Sequence, residues 1–251
     1  MKSLSWEERG IRVDGRFLSN LRFADDIVPF SSSTNEAEAM LNELNEAGKK
    51  IGLRINRKKT QFMKNAHCED GGVQLEGSGI VETPSYVYLG RSINMENDLK
   101  EELNRRMRAA WAAFALVREA AGQMTDQDLR EHLFGSTVLP ALCYAAETRA
   151  GTAATSGKLL TIHRALERCF LNRRTQHLAG LGHFDLRGMS RLRDPAEYVS
   201  EAKHRWAGYI MRRIDNKWFK RTLEWIPRDA KCPRQRHSQN LRTSWMTMAR
   251  E

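Results

Sequence analysis

The stretch SNLRFADDIVPFSS, Ser19–Ser32, decides how this chain is read. Two adjacent aspartates, Asp25 and Asp26, interrupt an apolar run with the composition of a buried strand. An ionised carboxylate in such a run needs a cation or hydrogen bonds, and two side by side repel each other. A hairpin with the pair at its tip resolves the conflict. The turn exposes the carboxylates while Leu21, Phe23, Ile27 and Val28 anchor the flanking strands. Hard oxygen ligands at one corner suit a divalent cation, and two-metal phosphoryl transfer places its ions about 3.5–4 Å apart in sites of this kind. An Asp-Asp turn without chemistry explains the dipeptide more simply. Pro29 adds a constraint, because proline has no N–H for a strand ladder and is tolerated only at an edge or bulge.

Working outward, GIRVDGRFL (10–18) flanks Asp14-Gly15, a dipeptide preferred in two-residue hairpin turns. Ser33–Glu36 fits a helix capping box, and Ala37, Met40, Leu41, Leu44, Ala47 and Ile51 follow at helical spacing up to a stop at Gly52. LRIN, TQFM, GVQLEG, GIVE and YVYLGRSI then read as short strands between Gly and Pro turns. After about residue 95 the period becomes helical. Leu99, Leu103, Met107, Ala110, Trp111, Phe114, Val117 and Ala121 form one stripe. A second helix starts at a capping box over Thr125–Asp128 and is expected to end before Pro140. A third carries Leu159, Ile162, Leu166 and Phe170, residues 172–194 read as a loop, and a last helix spans 195–214. The expected organisation is an α+β chain: strands and one helix over 1–94, a helical region over 95–194, and a basic helix and tail over 195–251.

The net charge of +10 is uneven: residues 203–251 hold thirteen Lys/Arg against four Asp/Glu, nearly all of the excess. A polyanion is the matching partner, and nucleic acid the commonest one. Trp206, Trp218, Trp225 and Trp245 are interleaved with these cations, a mixture suited to phosphates and stacked bases. Arg212, Arg213, Lys217, Lys220 and Arg221 are the candidate nucleic-acid contacts, while Trp206 reads as a core residue. No apolar run reaches the roughly 20 residues of a membrane helix, and the N-terminus lacks a signal-peptide core. The chain is expected to be intracellular, in nucleus or cytoplasm, and not secreted. Cys68, Cys143, Cys169 and Cys232 form no paired spacing, so free thiols are expected. Cys169, His177 and His183 fit no zinc pattern.

Five segments, in order, resemble the reverse transcriptases of non-LTR (LINE-type) retrotransposons. LRFADDIV resembles their F/Y-A-D-D signature, and GLRINRKKT (52–60) the next palm motif. SYVYLGRSI (85–93) is similar to the hairpin that grips the primer end, and LPALCYAAET (139–148) to a thumb segment. HRWAGYIMRRIDNKWFKRTLEW (204–225) resembles the W-GH-R helix and basic tail. The resemblance implies a partial palm of short antiparallel strands plus one helix, followed by a helical thumb. It implies Asp25 as a Mg²⁺ ligand with Asp26 beside it, Lys59 near the departing pyrophosphate, and Tyr88, Leu89 and Gly90 as the primer grip. The implied partners are RNA and DNA as template and primer, with no membrane.

The sequence also departs from that pattern. The family's third metal-binding aspartate lies well upstream of the hairpin, and Glu7, Glu8 and Asp14 do not match it. Pro29 stands where an aliphatic residue is usual, and Arg149 where an aromatic one is common. The expectation is a C-terminal fragment, inactive alone and weak in metal binding; a non-catalytic nucleic-acid-binding module is the alternative.

Overall fold

The computed structural model describes residues 4–149, 151–171, 183–213, 218 and 221–222, with backbone only for 183–186. The chain divides between Asp98 and Leu99 into two compact units, and Trp218, Arg221 and Thr222 group with the first.

The first unit carries ten short strands and one helix. Four antiparallel hairpins pair β1 (Ile11–Val13) with β2 (Arg16–Leu18), β3 (Asn20–Phe23) with β4 (Asp26–Pro29), β6 (Gln74–Leu75) with β7 (Ser78–Gly79), and β9 (Ser85–Tyr88) with β10 (Arg91–Asn94). A parallel pair joins β5 (Gln61–Phe62) to β8 (Val81–Glu82). Three of the hairpin turns place both central residues at positive φ: Asp14-Gly15 (48° and 76°), Glu76-Gly77 (53° and 73°) and Leu89-Gly90 (48° and 77°). That is the type I′ pattern, whose twist matches the strands and whose second position suits glycine.

Helix α1 (Thr34–Lys49) organises this unit. Ser33 caps it, its Oγ accepting from the Glu36 N–H at 3.1 Å. Glu36 does not close the box on Ser33; its carboxylate accepts from the Ser32 N–H at 2.7 Å instead. Met40 and Leu41 are buried, and Leu41 packs with Val73, Leu75 and Ile80. Burial of each such side chain contributes about 1.5–3 kcal/mol. Polar ties fix the register: Glu38 accepts from the Gln74 N–H at 2.8 Å, and Asn45 donates to Glu76 at 2.9 Å. The helix ends three residues before Gly52, where the Gly48 carbonyl accepts from both Ile51 and Leu53. Residues 53–56 are therefore not the strand that LRIN suggests.

The second unit is helical: α2 (Lys100–Gln123), α3 (Gln127–Cys143), a 3₁₀ turn (Ala146–Thr148), α4 (Ala153–Phe170), α5 (His183–Ser190) and α6 (Pro195–Met211). The stripe read from sequence on α2 faces its core. Phe134 sits at the centre, with Phe114, Phe170 and His163 edge-on at ring separations of 6.4, 5.4 and 5.9 Å. Three expectations need correction. Helix α3 starts from an Asp126 cap and runs through Pro140 to Cys143. Proline costs one hydrogen bond there, and burial of Leu139, Leu142 and Cys143 holds the final turn. The 172–194 loop contains α5, which starts eleven residues into it.

Candidate functional site

The aspartate hairpin forms as the sequence suggests, but its strands are not buried. Phe23 pairs with Asp26, Leu21 with Val28, and Asn20 with Pro29. Leu21 and Phe23 are exposed, the latter by 61%, while Ile27 and Val28 are only partly covered. The reason is topological: among the described residues every ladder has two strands, so no neighbouring strand covers this ribbon. The turn is Ala24-Asp25, and of these two only Ala24 has positive φ, at 52°. An alanine in the left-handed region costs about 1–2 kcal/mol. The three other two-residue turns put glycine in the second position and favour the I′ form; this one bends at its first position and keeps Asp25 on the ordinary side. Strain of this kind is held where surrounding structure requires it. It sits immediately before both candidate carboxylates.

Pro29 proves compatible with the ribbon. The Phe30 N–H donates to the Ser19 carbonyl at 2.7 Å. Hydrogen-bonded and non-bonded pairs alternate along an antiparallel ladder. Counting back from Ser19 and Phe30, the Asn20–Pro29 pair is a non-bonded one. The missing N–H would have pointed outward, so proline costs the hairpin no bond and blocks pairing on its outer edge.

Asp25 and Asp26 are both exposed, and neither carboxylate makes a hydrogen bond or ion pair to a described residue. The second hairpin, β9–β10, carries Tyr88, Leu89 and Gly90 at its tip. Tyr88 is half-buried. Burial and, behind it, the negative charge of Asp26 push its phenol above the usual tyrosine range. Tyr88 therefore remains an O–H donor at neutral pH, and the field of Asp26 reaches it. Lys59 lies in a turn where the Asn56 Oδ1 accepts from the Lys58 and Lys59 N–H groups at 3.1 and 3.3 Å. Its side chain is exposed, and the described contacts join it to neither aspartate. No group of three His, Cys, Asp or Glu positioned for a metal occurs among the described residues.

The basic candidates fall in different places. Arg212 is exposed and ends α6, its N–H donating to the Gly208 carbonyl at 3.2 Å. Arg213 donates to the Tyr209 hydroxyl at 2.7 Å, with its guanidinium 5.1 Å from the ring centroid. Arg221 donates to Asp14 at 3.2 Å, so its charge is shared with the first hairpin turn. Lys217, Lys220, Trp225, Trp245 and His177 lie outside the described residues, as does the side chain of His183. Trp206 is partly buried. Arg149 is 5% exposed and donates to the Tyr144 carbonyl at 3.3 Å, which gives it a packing role at the end of α3. Cys143 is also buried, its thiol pushed up to about 12, and is unsuited to act as a thiolate. The sequence reading missed Tyr209, whose signal is its i+4 spacing to Arg213.

An aspartate-tipped hairpin electrostatically coupled to a tyrosine hairpin lies within a segment, residues 12–93, that matches the family model for reverse transcriptase (RNA-dependent DNA polymerase). The chain is 39% identical over 223 residues to a transposon-derived protein of Caenorhabditis elegans, covering 86% of this chain and 80% of that relative. The chain belongs to one family with that transposon-derived protein, and its residues 12–93 are the part that matches the reverse-transcriptase model. No solved structure matches it significantly. No described helix is long and apolar enough to cross a membrane.

Proposed function

We propose that this chain is part of a non-LTR-type RNA-directed DNA polymerase, its first unit contributing palm elements and its second the thumb. The observation that carries the reading is the hairpin turn that exposes Asp25 and Asp26 next to the strained Ala24, within the segment that matches the reverse-transcriptase model. The donor set fits Mg²⁺, which is commonly held by one or two carboxylates with water and substrate phosphate completing the shell. Asp25 and Asp26 would hold it, and when bound it would supply charge neutralisation at the reacting phosphates. Ala24 holds the carboxylates at the tip. Tyr88 supplies a neutral hydroxyl donor toward a primer phosphate, and Leu89-Gly90 lets the backbone approach closely. Lys59 supplies positive charge for the leaving pyrophosphate.

Among the described residues no third ligand joins Asp25 and Asp26, and two exposed carboxylates bind a divalent ion weakly, so the chain by itself is expected not to extend a primer. A primer-extension assay with RNA template, deoxynucleotides and Mg²⁺ tests this. Extension by the wild type that Asp25→Ala abolishes overturns the inactivity and leaves the role of the aspartates standing. The alternative, a non-catalytic nucleic-acid-binding module, is supported by the Arg213–Tyr209 contact on α6. It requires affinity for RNA or DNA that falls steeply with salt. Salt-independent binding, or none, refutes both readings of the partner.

A further inference from the structure

Helix α6 presents a stripe that the metal-site reading leaves unused. Arg205, Tyr209 and Arg212 are exposed and Arg213 is partly so. With about 100° of turn per residue, Arg205, Tyr209 and the C-cap residue Arg212 fall within about 60° of arc, and Arg213, just past the helix end, reaches the Tyr209 hydroxyl. Tyr209 is 53% exposed although its neighbour Ile210 is 2% exposed, so the ring stands outside the core.

The surroundings hold that ring in place. Arg213 stacks on it and donates to its hydroxyl. Gly208 makes room for Arg212 to lie back beside it: a Cβ at Gly208 would stand 3.3 Å from Arg212 Nη1. Glu201, one turn ahead of Arg205, is engaged by Arg193 and does not neutralise the stripe. Arg205 and Arg212 are separated by about 10 Å along the axis and can meet different phosphates.

We infer that this stripe binds a single nucleic-acid strand, one base stacking on Tyr209 while Arg205, Arg212 and Arg213 take phosphates around it. The inference rests on the nucleic-acid reading above and adds to it a base-contacting residue and a preference for single strands. An aromatic face gains from an unstacked base, which a duplex does not offer. Three cations around one ring match the charge of the strand.

The test is fluorescence anisotropy of the full chain with a labelled oligothymidylate of about 16 nucleotides and a duplex of the same length. Tyr209→Ala is expected to weaken single-strand binding about tenfold and to leave duplex binding unchanged. Tyr209→Phe, which keeps the ring, is expected to retain the affinity. Arg205→Ala is expected to flatten the salt slope by about 0.7. Wild-type binding that Tyr209→Ala leaves intact, with an unchanged circular dichroism spectrum, overturns the inference and spares the nucleic-acid reading. Equal losses on single strand and duplex overturn it as well, as does polyglutamate competing as well as the oligonucleotide. A wild type that binds no nucleic acid even at low salt removes the underlying reading, and this inference with it.

Discussion

His163 makes the helical unit sensitive to acid. Its ring is fully buried on α4, edge-on to Phe134. Neither ring nitrogen has a well-aligned hydrogen-bond partner among the described residues, although the Arg193 backbone lies beside the ring. Burial pushes the imidazole below the usual histidine range. Glu167 and Asp194 pull it partly back, and Arg187 opposes them. The folded chain therefore resists the proton that the unfolded chain takes up near pH 6.5. The resulting stability is fully present above about pH 6.5 and is lost as pH falls toward the depressed folded-state value. One proton changes stability by at most about 1.4 kcal/mol per pH unit across that window. The assay is urea denaturation of the full chain followed by far-UV circular dichroism, for wild type and His163→Leu, from pH 7.5 to 5.5. The leucine variant keeps an apolar group against Phe134 and has nothing to titrate. The wild type should lose stability relative to His163→Leu as pH falls, by up to about 1.4 kcal/mol per unit. A difference between the two that stays constant with pH would refute the reasoning.

Two further outcomes follow from the aspartate hairpin. Ala24→Gly should relieve the left-handed strain of about 1–2 kcal/mol at a backbone-entropy cost of about 0.5–1 kcal/mol. The net is a small rise in midpoint by thermal denaturation, and a clear fall would contradict the assigned strain. Pro29→Val should leave the unfolding midpoint nearly unchanged, because the site is a non-bonded pair, but should increase self-association by exposing an outward N–H. Light scattering against concentration measures this, and a large loss of stability without association would show that the ladder phase is wrong.

The sequence by itself determined the local decisions. Asp14-Gly15 turns because its neighbours alternate around a dipeptide that tolerates positive φ. The α2 stripe is buried because its spacing matches the helical period. Asp194 and Pro195 start α6 because the cap and the fixed φ favour a first turn. The aspartates, too, were legible as a hairpin tip, since nothing else reconciles two charges with that apolar run.

What only the tertiary structure decided concerns covering and company. Leu21 and Phe23 have the pattern of buried residues and are exposed, because burial needs a neighbouring strand that local sequence does not specify. Helix α3 passes through Pro140 because packing of Leu139 and Leu142 outweighs one missing hydrogen bond. Pro29 is harmless because ladder phase, not residue type, sets which N–H groups are used. The coupling of Asp26 to Tyr88 joins residues 62 positions apart, and the clasp of Arg221 on Asp14 joins residues 207 apart. Periodicity carries information over a turn or two of helix or strand, whereas the field of a carboxylate acts through space and depends on where the whole chain has folded.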